Sequence, residues 1–133
     1  MERVLIDTNA YSALLTGNMK IRSLLSQSAA ILLTPIVIGE LLEGFLGGRR
    51  EQENREILEK FRSKPRTVCV PITDATSEWF ALIKNQLKRK GKPIPIGDVW
   101  IAASCMEHGA MLISLDFHFR EIEGLLLCDI GSG

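Results

Sequence analysis

The sequence predicts an α/β fold with three layers (α/β/α), in which helices cover both faces of a mostly parallel central sheet of about five strands. Short runs of branched apolar residues, typical of strands buried on both faces, alternate with segments of helical periodicity. No hairpin signal joins any pair of these runs, so helical crossovers are expected between parallel strands. Apolar residues make up 46% of the chain and aromatic residues only 6%, which indicates aliphatic packing of helices on a sheet.

The first half of the chain begins with a strand and continues through helices with recognisable starts and ends. Residues 4–6 are three branched apolar residues in a row, which predicts a central strand. Thr34-Pro35 is a helix start, with the threonine as N-cap and the proline at the first helical position. Gly47-Gly48 ends that helix. The predicted strands are 4–6, 30–34 and 67–71, and the predicted helices are 10–15, 20–26, 35–46 and 49–62.

The second half opens with a long helix and ends with two strands. Asp74 is expected to cap the long helix, which Gly91 ends. Residues 93–97 contain two prolines and are expected to form an extended lead-in. Asp98 is then predicted to open a helix that is apolar nearly all round and therefore buried. The predicted helices are 75–90, 99–107 and 117–121, the strands are 111–115 and 125–128, and residues 131–133 are interpreted as a frayed end.

Composition limits the classes of protein to consider. We expect the 133 residues to form a single domain (1–133) that buries roughly 65–70% of its unfolded surface. Sixteen basic and sixteen acidic residues balance, so any basic surface for a nucleic acid must be local. Three widely spaced cysteines in apolar runs predict reduced, buried thiols in a cytoplasmic protein. We expect neither a membrane span nor a signal peptide.

Four acidic residues occupy equivalent places in this arrangement. Asp7 and Asp116 follow strands, Asp98 lies in the first turn of a helix, and Glu40 lies in a helix that begins where a strand ends. Because the carboxyl ends of parallel strands meet at one edge of a sheet, we expect the four acids to converge there. Asp98 and Glu40 have apolar sequence neighbours, among which a charge is costly unless it is paired.

Each acid also has a purely structural interpretation. Asp7 or Asn9 could cap the next helix, and Asp116 could cap the turn that follows it. Asp98 could be a first-turn acid favoured by the helix dipole, and Glu40 could face solvent. Taken together these interpretations are weaker, because crowded carboxylates without cations repel one another and a divalent metal usually offsets the repulsion. Oxygen ligands alone favour Mg²⁺ or Mn²⁺, and such ions suit phosphodiester hydrolysis.

Four short motifs occur in order along nearly the whole chain. They are Asp7-Thr8-Asn9 after an apolar strand, Glu40 with Gly44 four positions on, Asp98-Val99-Trp100-Ile101-Ala102-Ala103, and Ile113-Ser114-Leu115-Asp116 with His118-Phe119. This ordered set resembles the motifs of the PIN domain family, in particular the VapC-type toxins. The resemblance implies a metal-dependent endoribonuclease that cuts single-stranded or loop RNA, is usually a homodimer, and is silenced by a cognate VapB-type antitoxin.

The resemblance also implies roles for individual residues. The catalytic acids, which would bind Mg²⁺ or Mn²⁺, are Asp7, Glu40, Asp98 and Asp116. Asn9 and Ser114 would be supporting polar residues that orient a ligand or water. The family more often has threonine at the position of Ser114, and serine keeps the hydroxyl. Glu43 is interpreted as a solvent-facing acid. His118 could serve as a general base, but it is interpreted as a solvated surface residue outside the catalytic set.

Two surface features suggest partners. A basic cluster at the end of the long helix comprises Lys84, Lys88, Arg89, Lys90 and Lys92. It is either a helix end that favours cations or an RNA-binding rim that contacts phosphates. Glycines interrupt the helices around residues 10–26 and 36–62, and Leu14, Leu15 and Leu46 lie near the breaks. These leucines either form a groove for an amphipathic segment of the antitoxin or belong to the core.

Other classes of protein share some of these features. A receiver-type phospho-acceptor domain is also a doubly wound α/β fold, but it should have a lysine after the last strand, where this chain has Asp129. A phosphatase with an aspartyl nucleophile should have a second aspartate two residues after the first, where this chain has Asn9. A PIN-like module that binds RNA or protein without cleavage remains an alternative, although the chain keeps all four acids.

Overall fold

A computed structural model of the protein describes residues 3–130 as one parallel sheet with helices between its strands. The strands are β1 (Arg3–Ile6), β2 (Ala30–Leu33), β3 (Thr67–Cys69), β4 (Met111–Ser114) and β5 (Leu127–Asp129). The helices are α1 (Thr8–Leu15), α2 (Met19–Ser26), α3 (Pro35–Phe45), α4 (Glu51–Arg62), α5 (Asp74–Lys90) and α6 (Ile96–Glu107), and a 3-10 helix (Phe117–Glu121) follows β4. The predicted frayed end at residues 131–133 lies outside the described residues.

The sheet has the order β3-β2-β1-β4-β5, and every pairing is parallel. β1 is central: Leu5 pairs with Leu32 of β2 on one side and with Leu112 of β4 on the other. All three leucines are buried, as expected for strands covered on both faces. The predicted α/β fold with a parallel sheet of five strands is therefore confirmed.

The order of the strands determines where the helices lie. The chain moves from β1 to β2 to β3 in one direction, so right-handed crossovers place α1 to α4 on one face of the sheet. It then returns to β4 on the other side of β1, which places α5 and α6 on the opposite face. The direction of winding reverses between β1 and β4, and ligands of such sheets bind outside the carboxyl ends of the strands at this point.

The same order separates this fold from the receiver-type alternative. Receiver domains have the flavodoxin-like order 2-1-3-4-5, in which the first strand lies between the second and third. Here the first strand lies between the second and fourth. The receiver-type interpretation of the sequence is therefore wrong.

The sequence predicted some helix starts correctly and others wrongly. Thr34 caps α3, and its Oγ1 accepts a hydrogen bond from the backbone N–H of Val37 at 3.2 Å, as predicted. The N-cap of α5 is Thr73 and not Asp74. Residues 93–97 are not extended throughout, because α6 already begins at Ile96. Pro95 occupies the N-cap, a position whose backbone N–H makes no hydrogen bond within the helix. The missing N–H of proline therefore does not disturb α6.

Burial follows position in the sheet. α6 is buried along most of its length, as its apolar sequence predicted, and Cys105 within it is fully buried. The prediction of three buried thiols is wrong for Cys69, which is exposed because β3 is an edge strand, and Cys128 is half-buried. Within residues 3–130, no helix combines the length and the apolar character needed to cross a membrane.

Candidate active site

A cavity of about 240 Å³ lies where the winding of the sheet reverses, at the carboxyl ends of β1 and β4. Its lining residues are Asp7, Thr8, Asn9, Glu40, Asp98 and Asp116. The structure therefore brings all four predicted acids to one place, from the ends of two strands and from two helices on opposite faces of the sheet. Thr8 also lines the cavity; it belongs to the Asp7-Thr8-Asn9 motif, but the sequence alone assigns it no role.

Asp7 is almost completely buried at the end of β1, with 2% of its surface exposed. Its Oδ1 accepts a hydrogen bond from the backbone N–H of Ala10 at 2.9 Å, so Asp7 does cap α1. Its Oδ2 accepts a hydrogen bond from Ser114 Oγ at 2.5 Å. The capping interpretation of Asp7 is therefore correct, and it coexists with a place in the cavity because the two oxygens have different partners.

Burial gives Asp7 an unusual affinity for protons. Desolvation raises its pKa to about 6, although the hydrogen bonds from Ser114 and Ala10 act in the opposite direction. The charges of Asp116 and Asp98 are smaller contributions to the same rise. Ionisation of Asp7 therefore lowers the free energy of unfolding, and a cation in the cavity would offset this loss of stability.

Ser114 and Asn9 orient the acids that follow the two central strands. Ser114 Oγ also accepts a hydrogen bond from the backbone N–H of Asp116 at 3.0 Å, so one hydroxyl contacts both Asp7 and Asp116. Asn9 Nδ2 donates to Asp116 Oδ2 at 2.9 Å. Asp116 precedes the 3-10 helix but makes no side-chain capping bond to it. The capping interpretation of Asp116 is therefore wrong.

Glu40 reaches the cavity from α3 and is exposed, unlike Asp7. Its Oε1 accepts a hydrogen bond from Thr8 Oγ1. The expectation that Glu40 lies among apolar neighbours at a high cost of burial is wrong, because the helix turns this side chain away from the core. Glu43, one turn further along, is exposed as predicted.

Asp98 lies in the first turn of α6 and contacts a histidine. His118 Nε2 is 2.7 Å from Asp98 Oδ2, and both side chains are largely covered, with 33% and 16% exposed. Burial raises the pKa of Asp98, while His118 acts to lower it and the charges of Glu40 and Asp116 act to raise it. The prediction of a solvated His118 is wrong. The sequence held one clue, since His118 comes two residues after Asp116.

The donor atoms at the cavity suit a divalent cation. One atom each from Asp98, Asp116 and His118 lie within 4.8 Å of one another, close enough to share an ion. Carboxylate oxygens predominate, and no Lys or Arg lines the cavity among residues 3–130. A cluster with this donor set and with the raised pKa of Asp7 fits a bound metal ion better than it fits an empty surface.

The basic cluster lies at the same edge of the sheet as the acidic cavity. Gln86 Nε2 and Lys90 Nζ both donate to the backbone oxygen of Glu121, at 2.9 and 2.8 Å. These bonds hold the end of α5 against the 3-10 helix that carries His118. Lys90 also forms an ion pair with Glu121 at 3.2 Å. Lys84 is half-buried, and the exposed members are Lys88, Arg89, Lys90 and Lys92.

The leucines near the interrupted helices are mostly on the surface. Leu15 is 49% exposed, Leu46 is 60% exposed, and the nearby Met19 is 71% exposed, whereas Leu14 is half-buried. Helix α1, which ends at Leu15, packs against both α2 and α3. Met19 is the first residue of α2, and Leu46 directly follows the last residue of α3. The interpretation as ordinary core is therefore wrong for Leu15 and Leu46.

Comparisons of sequence agree with the motifs. The sequence profile of the PIN domain family matches residues 4–125. Ribonuclease VapC4 of Mycobacterium tuberculosis is 30% identical over 81 residues, which are 61% of this chain and 62% of that protein. The chain thus matches less than two thirds of the length of VapC4. Ribonuclease VapC5 of the same organism is 23% identical over 125 residues, which are 94% of this chain and 91% of that protein.

Comparisons of structure show the same fold in toxin–antitoxin complexes. A chain of the DNA-bound VapBC from Salmonella typhimurium has a TM-score of 0.86 and 22% identity, with 97% of this chain and 98% of that chain covered. A chain of VapBC2 from Rickettsia felis, bound to a DNA fragment from the promoter, has a TM-score of 0.84 and 21% identity, with 95% and 97% covered. At these identities the likeness concerns the fold.

Proposed function

This chain belongs to the PIN domain family, and we propose that it is a metal-dependent endoribonuclease that hydrolyses RNA phosphodiester bonds. The observation that carries the proposal is the single cavity in which four carboxylates from four separate elements meet. The match to two relatives named as ribonucleases supports RNA as the substrate. Single-stranded or loop RNA is the substrate class that we propose.

The metal in this proposal is Mg²⁺ or Mn²⁺, because carboxylate oxygens dominate the donor set. The residues that would hold it are Asp7, Glu40, Asp98 and Asp116. Such an ion supplies a more acidic bound water and stabilises negative charge on a phosphate. His118 joins the proposed site, since its Nε2 lies 2.7 Å from Asp98 Oδ2. One of its ring nitrogens also lies within 4.8 Å of carboxylate oxygens of Asp98 and Asp116, so it could share the same ion.

The polar neighbours of the acids have a supporting role in the proposal. Ser114 orients Asp7 and the backbone at Asp116, Asn9 orients Asp116, and Thr8 orients Glu40. Hydrogen bonds of this kind fix the direction of a carboxylate's free lone pairs, and their loss typically costs about 10- to 100-fold in metal affinity. The carboxylate oxygens are thereby oriented before an ion binds, so ion binding requires little rearrangement of these side chains.

The basic end of α5 is the proposed RNA-binding surface. A protein with no net charge needs a local basic patch to attract a phosphate backbone. Lys88, Arg89 and Lys92 are exposed, and the end of α5 is held against the 3-10 helix beside the cavity. Lys84 and Lys88 also line a second cavity of about 330 Å³. Lys90 contributes less, because it already pairs with Glu121.

The proposed setting is the cytoplasm, where the protein acts as the toxin of a VapBC-type pair and as a homodimer. The structural relatives in toxin–antitoxin complexes support an antitoxin partner. The exposed apolar side chains of Leu15, Met19 and Leu46 are where we propose that an amphipathic segment of the antitoxin docks.

Cleavage and metal binding can be tested together. Purified protein should cut total RNA in Mg²⁺ or Mn²⁺ and lose this activity in EDTA. Calorimetric titration with Mn²⁺ should detect binding that Asp7→Asn and Asp98→Asn greatly weaken. Undiminished Mn²⁺ binding in both variants would exclude the site, and metal binding without RNA cleavage would favour a module that binds RNA or protein but does not cut.

The docking surface has a separate test. In cells that express the antitoxin, Leu46→Glu should release the antitoxin and restore RNA cleavage, because a charge replaces an exposed apolar contact. The circular dichroism and melting temperature of the free variant should match those of wild type. Co-purification of the antitoxin with the variant would place the interface elsewhere, and loss of folding would show that Leu46 is needed for the core.

A further inference from the structure

Glu40 is held in place by two neighbours rather than by burial. Its side chain is exposed and extends from the second turn of α3, so in isolation it would sample many rotamers. Thr8 Oγ1 donates a hydrogen bond to its Oε1. Its Oε2 lies against the first turn of α6, where Gly97 is the second residue of the helix.

The approach of Glu40 to α6 depends on the missing side chain of Gly97. A Cβ atom added at Gly97 would lie 2.9 Å from Glu40 Oε2 and 4.0 Å from Glu40 Cδ. The first distance is well inside the roughly 3.5 Å at which non-bonded heavy atoms pack best. Any larger residue at position 97 would therefore push the carboxylate of Glu40 away from the helix. The carboxylate end is flexible enough to move.

Backbone conformation does not explain a glycine at this position. Among residues 3–130, the glycines with positive φ are Gly17, Gly47, Gly91, Gly109 and Gly124. Gly97 has an ordinary helical conformation that alanine adopts readily. Glycine within a helix is less favourable than alanine, so position 97 carries a stability cost that the local fold does not require.

We propose that Gly97 is a positioning residue for Glu40. It leaves the gap in which the carboxylate lies beside the start of α6, next to Asp98 in the cavity. The positive end of the helix dipole favours a negative group there, and Thr8 fixes the other carboxylate oxygen. The inference rests on the proposed function, because it assumes that Glu40 is one of the metal ligands.

Gly97→Ala separates positioning from stability because the two effects have opposite signs. The affinity for Mn²⁺, measured by calorimetry, should fall about 10-fold or more, as for the loss of other residues that orient a ligand. The melting temperature in EDTA should be unchanged or rise by about 2 to 4 °C, because alanine favours the helix. Gly39→Ala is the matched control, since a Cβ there meets no atom within 4 Å and affinity should stay at the wild-type value.

A double-mutant cycle tests whether Gly97 acts through Glu40. In a Glu40→Ala background the added methyl group has no carboxylate to displace, so Gly97→Ala should cause no further loss of affinity. Unchanged affinity in Gly97→Ala, a lower melting temperature in EDTA, or the same loss in the Glu40→Ala background would each overturn the inference. Wild-type protein that binds no Mn²⁺ would overturn the proposed function as well.

Discussion

The two sides of the acidic cavity are built differently. On the strand side, Asp7 and Asp116 follow paired central strands and share the hydroxyl of Ser114. On the helix side, Glu40 and Asp98 come from helices on opposite faces of the sheet. The register of the sheet therefore determines the positions of Asp7 and Asp116, whereas individual side-chain contacts determine the positions of Glu40 and Asp98. The buried Asp7 on the strand side is therefore held rigidly at a cost of desolvation, whereas the exposed Glu40 on the helix side is adjustable.

The largest effect should come from removing the buried charge of the strand side. Asp7→Asn should reduce RNA cleavage by at least about 100-fold, since even residues that only orient a metal ligand cost 10- to 100-fold. Asparagine keeps the size of the side chain and can still accept the capping bond from Ala10. Asp74→Asn, an exposed acid at the start of α5, is the control and should cleave like wild type. Comparable cleavage by both variants would contradict the proposed role of Asp7.

The second effect is a dependence of stability on pH that belongs to the strand side. The pKa of Asp7 is raised from 3.8 to about 6 in the fold, so the folded state binds the proton more tightly than the unfolded state. The contribution of Asp7 is therefore most favourable below about pH 4 and is lost as the pH rises through about 6. The loss is roughly 3 kcal/mol of the free energy of unfolding.

Urea unfolding in EDTA from pH 4 to pH 7 measures this loss. The difference between wild type and Asp7→Asn removes the contributions of other groups, and it should move in favour of the variant as pH rises. Excess Mn²⁺ should reverse the order at pH 7, because an ion that binds only the folded state stabilises it. A difference that does not change with pH would show that Asp7 is not strained.

A third experiment compares the two sides through the hydroxyls that orient their acids. Ser114→Ala removes a buried donor to Asp7 and should weaken Mn²⁺ binding by about 10- to 100-fold. Thr8→Val removes the donor to the exposed Glu40, and its loss should stay below about 10-fold because water can replace the hydroxyl. Calorimetric titration gives both affinities. A larger loss in Thr8→Val would reverse the assignment of rigid and adjustable sides.

The smallest expected effect concerns the basic end of α5, which lies beside the helix side. Lys88→Ala and Arg89→Ala should each weaken RNA binding a few-fold and reduce the slope of log affinity against log salt by about 0.7. Fluorescence anisotropy at several salt concentrations measures both quantities. Lys60→Ala, an exposed position on α4, is the matched control. An equal change of slope in the control would show that the attraction is not local.

The sequence predicts the strands well because a strand that is buried on both faces consists almost entirely of apolar residues. Residues 4–6 and 30–33 are continuous apolar runs, and both form strands. It does not distinguish central from edge strands, since the run around Cys69 is equally apolar and yet lies at the edge. The two prolines of residues 93–97 predict an extended segment, but Pro95 occupies the N-cap, where its missing N–H is no obstacle, and the helix begins at Ile96.

The four acids were predicted because each stands at the end of a strand or near the start of a helix, a position that local sequence reveals. The side chains that contact these acids were not predicted. Thr8 and Glu40 are 32 residues apart, and the contact between Glu40 and Gly97 joins helices from opposite faces of the sheet. His118 likewise meets Asp98 only after β4 is in place. Contacts of this kind depend on how helices pack, and no local pattern encodes them.

The central position of β1 has a consequence for the time at which the acidic cavity can form. Ser114 is 107 residues further along the chain than its hydrogen-bond partner Asp7, and β1 pairs with β4 across a similar interval. At about 5–20 residues per second, a ribosome needs roughly 5–20 s to synthesise the chain between them. During that interval Asp7 has been synthesised but its partner Ser114 has not. A nascent chain therefore cannot assemble the acidic cavity until β4 has emerged.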